Sequence, residues 1–288
     1  MLAKASPIFR DIFSLPTPPS AVDDEHIDGL PVVIISENST TLKNLLLFIY
    51  PGPRPALSAD AMITLADAAR KYEMFYVVDS MKDAIAKTAS TAPLRTFCIA
   101  YNLAFYDIAR AAAKHSISTK LWLFPPDIPR ELRFLPSAGL YRLLQYYDRC
   151  MKAAVAVATD IVGVMAAIGV PPAPLHSKGW IWAICTSCTE SADSPIQKKR
   201  KSSESGQTIV AWWWMDHMDR AAVVLASNPS GSAIQTTEFM SPVLLAANGC
   251  ITCRRFAYDQ LAEFSRRLGK MVDVAVSKVS FIVSGLIC

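Results

Sequence analysis

Leu2-Ala3-Lys4-Ala5-Ser6-Pro7-Ile8-Phe9-Arg10-Asp11-Ile12-Phe13 opens the stretch whose reading decides the fold. An acidic loop follows, then Asp28-Gly29-Leu30-Pro31-Val32-Val33-Ile34-Ile35, then Thr41-Leu42-Lys43-Asn44-Leu45-Leu46-Leu47-Phe48-Ile49-Tyr50-Pro51-Gly52. Ile8, Phe9, Ile12 and Phe13 recur at helical spacing, so residues 2–14 read as a helix, and Pro16, Pro18 and Pro19 end it. Pro31 to Ile35 is short and β-branched, which predicts a buried strand. Asn38 to Thr41 can cap a helix carrying Leu42, Leu45, Leu46 and Ile49.

This order of helix, strand and helix resembles the BTB/POZ domain, whose helix reads roughly L-x-x-x-S-P-x-F-x-x-x-F. In that family a strand comes next, and then a helix ending L-L-x-F-x-Y-x-G. The next two helices fit as well. One carries Met62, Leu65, Ala66 and Ala69 and ends at Lys71-Tyr72-Glu73-Met74; the other carries Met74, Val78, Met81 and Ile85. The resemblance covers residues 1–90 and implies an interaction module without chemistry of its own. It implies homodimerisation through the first helix, with Ile8, Phe9, Ile12 and Phe13 on the interface, or an adaptor role. Some relatives present substrates to cullin-type ubiquitin ligases through a hydrophobic-x-Glu signal, which Val22-x-Asp24 matches only in part. The family also implies a β-hairpin ahead of the first helix, which this sequence does not contain. The expectation is a domain of fungal type truncated at its N-terminus, or one whose missing strands another chain supplies.

Beyond residue 90 the apolar spacing remains helical. Pro93 starts a series with Leu94, Phe97, Cys98 and Tyr101, leading to Ile108, Ala111 and Ala112, and residues 91–130 resemble a BACK segment. A long helix is expected from Ser137, with Leu140, Leu143, Leu144, Tyr147 and Met151 on one face. Two more follow, one with Trp214, Met218, Ala222 and Leu225, the other with Ala257, Leu261, Phe264 and Leu268. The expected architecture is mainly α with a small β-sheet (α+β). It comprises the BTB-like domain, the BACK-like segment, and a helical domain over 131–288 with a polar, mobile loop at 189–208.

Hydrophobic residues make up 52% of the chain and charged residues 19%, enough to fill a core. A net charge of +4 is too mild to point to nucleic acid by itself. Lys4, Arg10 and Asp11 interrupt the apolar run that a secretory signal needs, and the seven cysteines are odd in number and spread out. A cytoplasmic or nuclear protein is therefore expected. Met151 to Val170 has the length of a membrane span, but Asp160 would sit near its centre, so a buried helix is the favoured reading and no membrane partner is expected.

Cys185-Thr-Ser-Cys188 and Cys250-Ile-Thr-Cys253 are the sharpest local signals. Two C-x-x-C pairs can set four thiolates around one structural Zn2+, because each two-residue gap lets both sulfurs reach the metal from one turn. The other reading is separate buried cysteines in an apolar core. Lys198-Lys199-Arg200-Lys201 is a basic run of the kind that nuclear import machinery reads, or simply a solvated loop. If the zinc module also met DNA or chromatin, the protein would be a nuclear regulator; Arg254 and Arg255 beside Cys253 are the only other basic residues near the cysteines. Trp212-Trp213-Trp214 points to core packing before ligand stacking, and His217 nearby is an outside candidate for a ligand. There is no G-x-S-x-G, glycine-rich phosphate loop or H-E-x-x-H, and no enzymatic activity is expected.

Overall fold

A computed structural model describes residues 1–15, 26–27, 30–117, 132–133, 135–169, 179–189 and 210–282. The chain divides into two compact units. The first is Met1–Ala113 with Pro125–Ser137, and the second is Lys114–Phe124 with Ala138–Cys288.

The N-terminal helix of the first unit is broken in two, α1 (Leu2–Ala5) and α2 (Pro7–Ser14). Ser6 makes the break. Its backbone is extended, its hydroxyl accepts from the Phe9 N–H (3.0 Å) and donates to the Tyr72 carbonyl (2.6 Å), and Pro7 takes the first helical position. Phe9 is then driven inward, with its ring 4.4 Å from that of Tyr72.

The expected α+β class does not hold, because the small sheet is absent and the described residues are helical almost throughout. The one strand-like pairing among the described residues, His26–Ile27 against Leu30–Pro31, is two residues a side, a turn rather than a sheet. The predicted strand over 31–35 does not form: beyond Pro31 the segment runs unpaired, and Ile34 is 92% exposed. β-branched residues favour an extended backbone, but a strand also needs a neighbour to take its N–H and C=O groups. None of the described residues takes that place beside Val32–Ile35.

Helices α3 (Ser39–Ile49) and α4 (Ala59–Lys71) begin at side-chain caps, Asn38 accepting from the Thr41 N–H and Ser58 from the Ala61 N–H. Leu45, Leu65, Ala66 and Ala69 are fully buried between them and their neighbours. Lys71 and Tyr72 donate to Glu37, tying the end of α4 to the entrance of α3. Burial works against the Glu37 charge, yet the donors from Tyr72, Lys71 and Ser36 bring its carboxyl down to about 2. The turn from α4 into α5 (Phe75–Lys87) and that from α6 (Pro93–Asn102) into α7 (Tyr106–Ser116) share one geometry. Glu73 and Ala104 sit at φ 55° and 60°. The Met74 and Phe105 N–H groups reach back to the Ala69 and Ala100 carbonyls at 2.7 and 2.8 Å. Residues 118–131 of the BACK-like segment lie outside the described residues.

In the second unit α8 (Ser137–Thr159) and α9 (Ile161–Ile168) are bent by 73° at Asp160. The Asp160 carboxylate accepts from the Gly163 N–H (2.9 Å) and so caps α9 rather than lying within a continuous helix. No single helix among the described residues is long and apolar enough to cross a membrane; the bent pair α8–α9 passes by length and composition only. The buried face of α8 is Leu143, Tyr146, Tyr147, Cys150, Ala154 and Ala158, while Leu140 and Leu144 are exposed, so the stripe is rotated from the expected one.

Four elements follow, α10 (Ile181–Ile184), α11 (Thr186–Thr189), α12 (Trp212–Leu225) and α13 (Thr237–Asn248), and α14 (Ala257–Ser277) closes the unit. Leu261, Phe264, Leu268 and Val272 of α14 are fully buried. Against α14 lies a 3-10 turn, Gly231–Ile234, held where the Gly231 N–H donates to Asp273 at 2.7 Å. Most of the expected loop at 189–208 lies outside the described residues, which stop at Thr189 and resume at Val210.

Candidate metal centre

The first cysteine arm is fixed by tryptophan. Trp182 is fully buried, stacked between Trp180 (4.7 Å) and Trp214 (5.7 Å, 7° between planes), with Phe264 edge-on at 5.1 Å. The backbone of α10 is fastened at two points. The Ile181 N–H donates to Gln260 Oε1 (2.6 Å), and the Trp182 carbonyl accepts from the Ala211 N–H (2.7 Å). Beyond this anchor the Cys185 carbonyl accepts from the Cys188 and Thr189 N–H groups. Both cysteines thus lie on one helical turn with their sulfurs on one side. The second arm follows the end of α13. Cys250 begins a tight turn in which the Arg254 N–H donates to the Cys250 carbonyl (3.0 Å), and Cys253 opens the 3-10 turn Cys253–Arg255.

The fold brings the two arms together. The sulfurs of Cys185 and Cys250 are 3.7 Å apart, as are those of Cys188 and Cys253, and all four lie within 4.8 Å of one another. Four thiolates about 2.3 Å from a tetrahedral ion stand about 3.8 Å apart, so the donor set fits one metal ion with little movement. Cys185, Cys188 and Cys253 are buried and Cys250 is partly exposed. Burial pushes the Cys188 thiol up to about 11 and the Cys253 thiol higher still. Burial opposes the Cys250 charge too, but backbone N–H groups of Cys253 and Thr252 hold that thiol down at about 6. Such a nest of buried thiols favours a cation that replaces their protons. With four protein donors no position is left open for substrate, so the chemistry on offer is cross-linking.

Of the other candidates, His217 is not part of the cluster. Its ring lies 4.8 Å from that of Phe239 and 6.3 Å from that of Phe264, fully buried, with no hydrogen-bond partner at either nitrogen among the described residues. Trp213 and Trp214 are core residues and Trp212 is half-buried. On α2, Phe9 is turned into the fold, Ile8 and Ile12 are half-buried, and Phe13 is 56% exposed. The run Lys198, Lys199, Arg200 and Lys201 lies outside the described residues. Sequence reading missed Gln260, a polar residue on the buried face of α14 with no motif around it. Its role as the clamp on α10 follows only from the packing.

Residues 1–89 match the family model of the BTB/POZ domain. No curated protein and no solved structure matches the chain at a significant level.

Proposed function

We propose that this chain, with a BTB/POZ domain in its N-terminal third, is a protein–protein interaction protein that homodimerises or bridges partners through that domain. Its C-terminal unit is closed by a structural Zn2+ on Cys185, Cys188, Cys250 and Cys253. The family match over residues 1–89 carries the reading, since the BTB/POZ domain is an interaction module and not an enzyme. The exposed Phe13 and half-buried Ile12 on α2 offer an apolar surface for a second copy. Four cysteine sulfurs within 4.8 Å of one another form a donor set that suits a structural Zn2+. A cytosolic or nuclear setting accords with the reduced thiols of Cys150, Cys185, Cys188, Cys250 and Cys253. A cullin-type ligase is a weaker partner, because the signal for it is met only in part.

Light scattering on the full chain tests the interaction reading. The expected mass is that of two chains, falling to one in Phe13→Asp with the helical content unchanged. A monomeric parent, or a dimer indifferent to Phe13→Asp, would argue against α2 as the interface. A second reading, a nuclear regulator whose zinc module meets DNA, draws on the exposed Arg254 and Arg255 beside Cys253. It predicts binding of the full chain to duplex DNA that weakens steeply between 50 and 200 mM salt. Absence of binding at low salt removes it.

A further inference from the structure

We propose that the four-cysteine cluster is an oxidation site, at which a peroxide exchanges the metal for a disulfide between the arms, Cys185 to Cys250. The inference rests on the metal-binding reading above, but its central claim, which sulfurs pair, is set by the fold. Two close approaches run across the arms, Cys185 to Cys250 and Cys188 to Cys253, both 3.7 Å. Closing a sulfur pair to bonding distance from there needs about 1.7 Å of movement, within reach of side-chain rotation.

Access chooses the first of the two pairs. Cys188 and Cys253 are both buried, whereas the Cys185–Cys250 pair includes Cys250, the one partly exposed residue of the four. Its chain neighbours Gly249 and Ile251 are both exposed. The Cys250 thiolate attacks the peroxide, the O–O bond breaks, and a sulfenic acid forms with release of hydroxide. The Cys185 thiolate then attacks the sulfenic sulfur and expels a second hydroxide. Two electrons leave the thiolates, the peroxide is reduced to two hydroxides that the buffer acid protonates to water, and the disulfide forms. Zn2+, reduced to two thiolate ligands, departs. The arms remain joined, so metal and disulfide are interchangeable closures of the same unit.

Trypsin separates the possibilities cleanly. Cys185 and Cys188 fall in the peptide Gly179–Lys198, and Cys250 and Cys253 in the peptide Ala221–Arg254, with no lysine or arginine inside either. The full-length protein is assayed for zinc by elemental analysis, treated with hydrogen peroxide in the presence of a zinc-responsive dye, alkylated, and digested without reductant. The expected result is one equivalent of zinc released per linked pair of these two peptides, with fragmentation placing the first bond at Cys185–Cys250. Bonds confined to each peptide (Cys185–Cys188 and Cys250–Cys253), or sulfinic acids without any link, overturn the proposal. Absence of zinc before treatment would count against the metal reading alone, because the same digest still reports how the metal-free sulfurs pair.

Discussion

His217 lies among aromatic rings in α12 with neither imidazole nitrogen paired, and that environment fixes its charge state. Burial, and then the positive charge of Arg220, hold its pKa down to about 3. The folded protein therefore keeps His217 neutral, while the unfolded chain takes up a proton below about 6.5. Between those values unfolding binds a proton, so stability falls as the pH falls, by about 1.4 kcal/mol per pH unit from this residue. His217→Phe should remove that slope and cost little at pH 7, since it also removes two unpaired nitrogens. Urea midpoints of the parent and variant at pH 7, 6 and 5 check this. The two should lie close at pH 7 and separate as the pH falls, the variant becoming the more stable, and parallel curves would mean that His217 is protonated in the fold. Thiol protonation at the metal site affects both proteins and cancels in the comparison. The histidine is visible in the sequence, but its surroundings are not: Phe239 and Phe264 reach it from 22 and 47 residues away.

Among the elements, the Gly231 turn packs tightly on α14, its N–H donating to Asp273 at 2.7 Å. A Cβ on Gly231 would stand 2.2 Å from the Gly269 carbonyl oxygen, a backbone atom that cannot swing aside. Gly231→Ala must lift the turn from α14 and stretch its bond to Asp273, and should cost about 2 kcal/mol or more. Gly52→Ala, with nothing within 4 Å, should stay within about 0.5 kcal/mol of the parent. Urea denaturation of the two variants checks the contrast. The helices themselves were legible, since apolar spacing and the Asn38 and Ser58 caps mark α3 to α6, and α14 buries each residue expected of it. The misreadings share one cause. A run such as Val32–Ile35 declares a backbone preference but not whether a partner lies alongside. The break at Ser6 and the rotated face of α8 likewise depend on what packs against them. The turns at Glu73 and Ala104 carry no glycine to announce a left-handed residue.

At the scale of the whole molecule, the five described tryptophans (Trp180, Trp182, Trp212, Trp213 and Trp214) all belong to the second unit, so their fluorescence reports on that unit. If the cysteine cluster holds zinc, a strong chelator should shift the tryptophan emission to the red and remove only part of the helical circular dichroism. The first unit would keep its share, and readded zinc should reverse both changes. An unchanged emission would show that the stacked rings of Trp180, Trp182 and Trp214 hold the unit closed without a metal. The two C-x-x-C pairs could be read from the sequence; their meeting could not, since it depends on the Trp182 stack and the Gln260 clamp. The separation between the arms has a further effect, felt before folding begins. Cys185 and Cys250 are 65 residues apart. A tie between them denies the unfolded chain much of its conformational freedom, worth about 4 kcal/mol in loop-closure entropy. That contribution grows only logarithmically with loop length: doubling the interval would change it by about 0.6 kcal/mol. Outside α12 and α13, whose buried faces fix their own lengths, the spanned chain can therefore gain or lose residues over evolution with almost no change in this contribution, provided its two ends still meet.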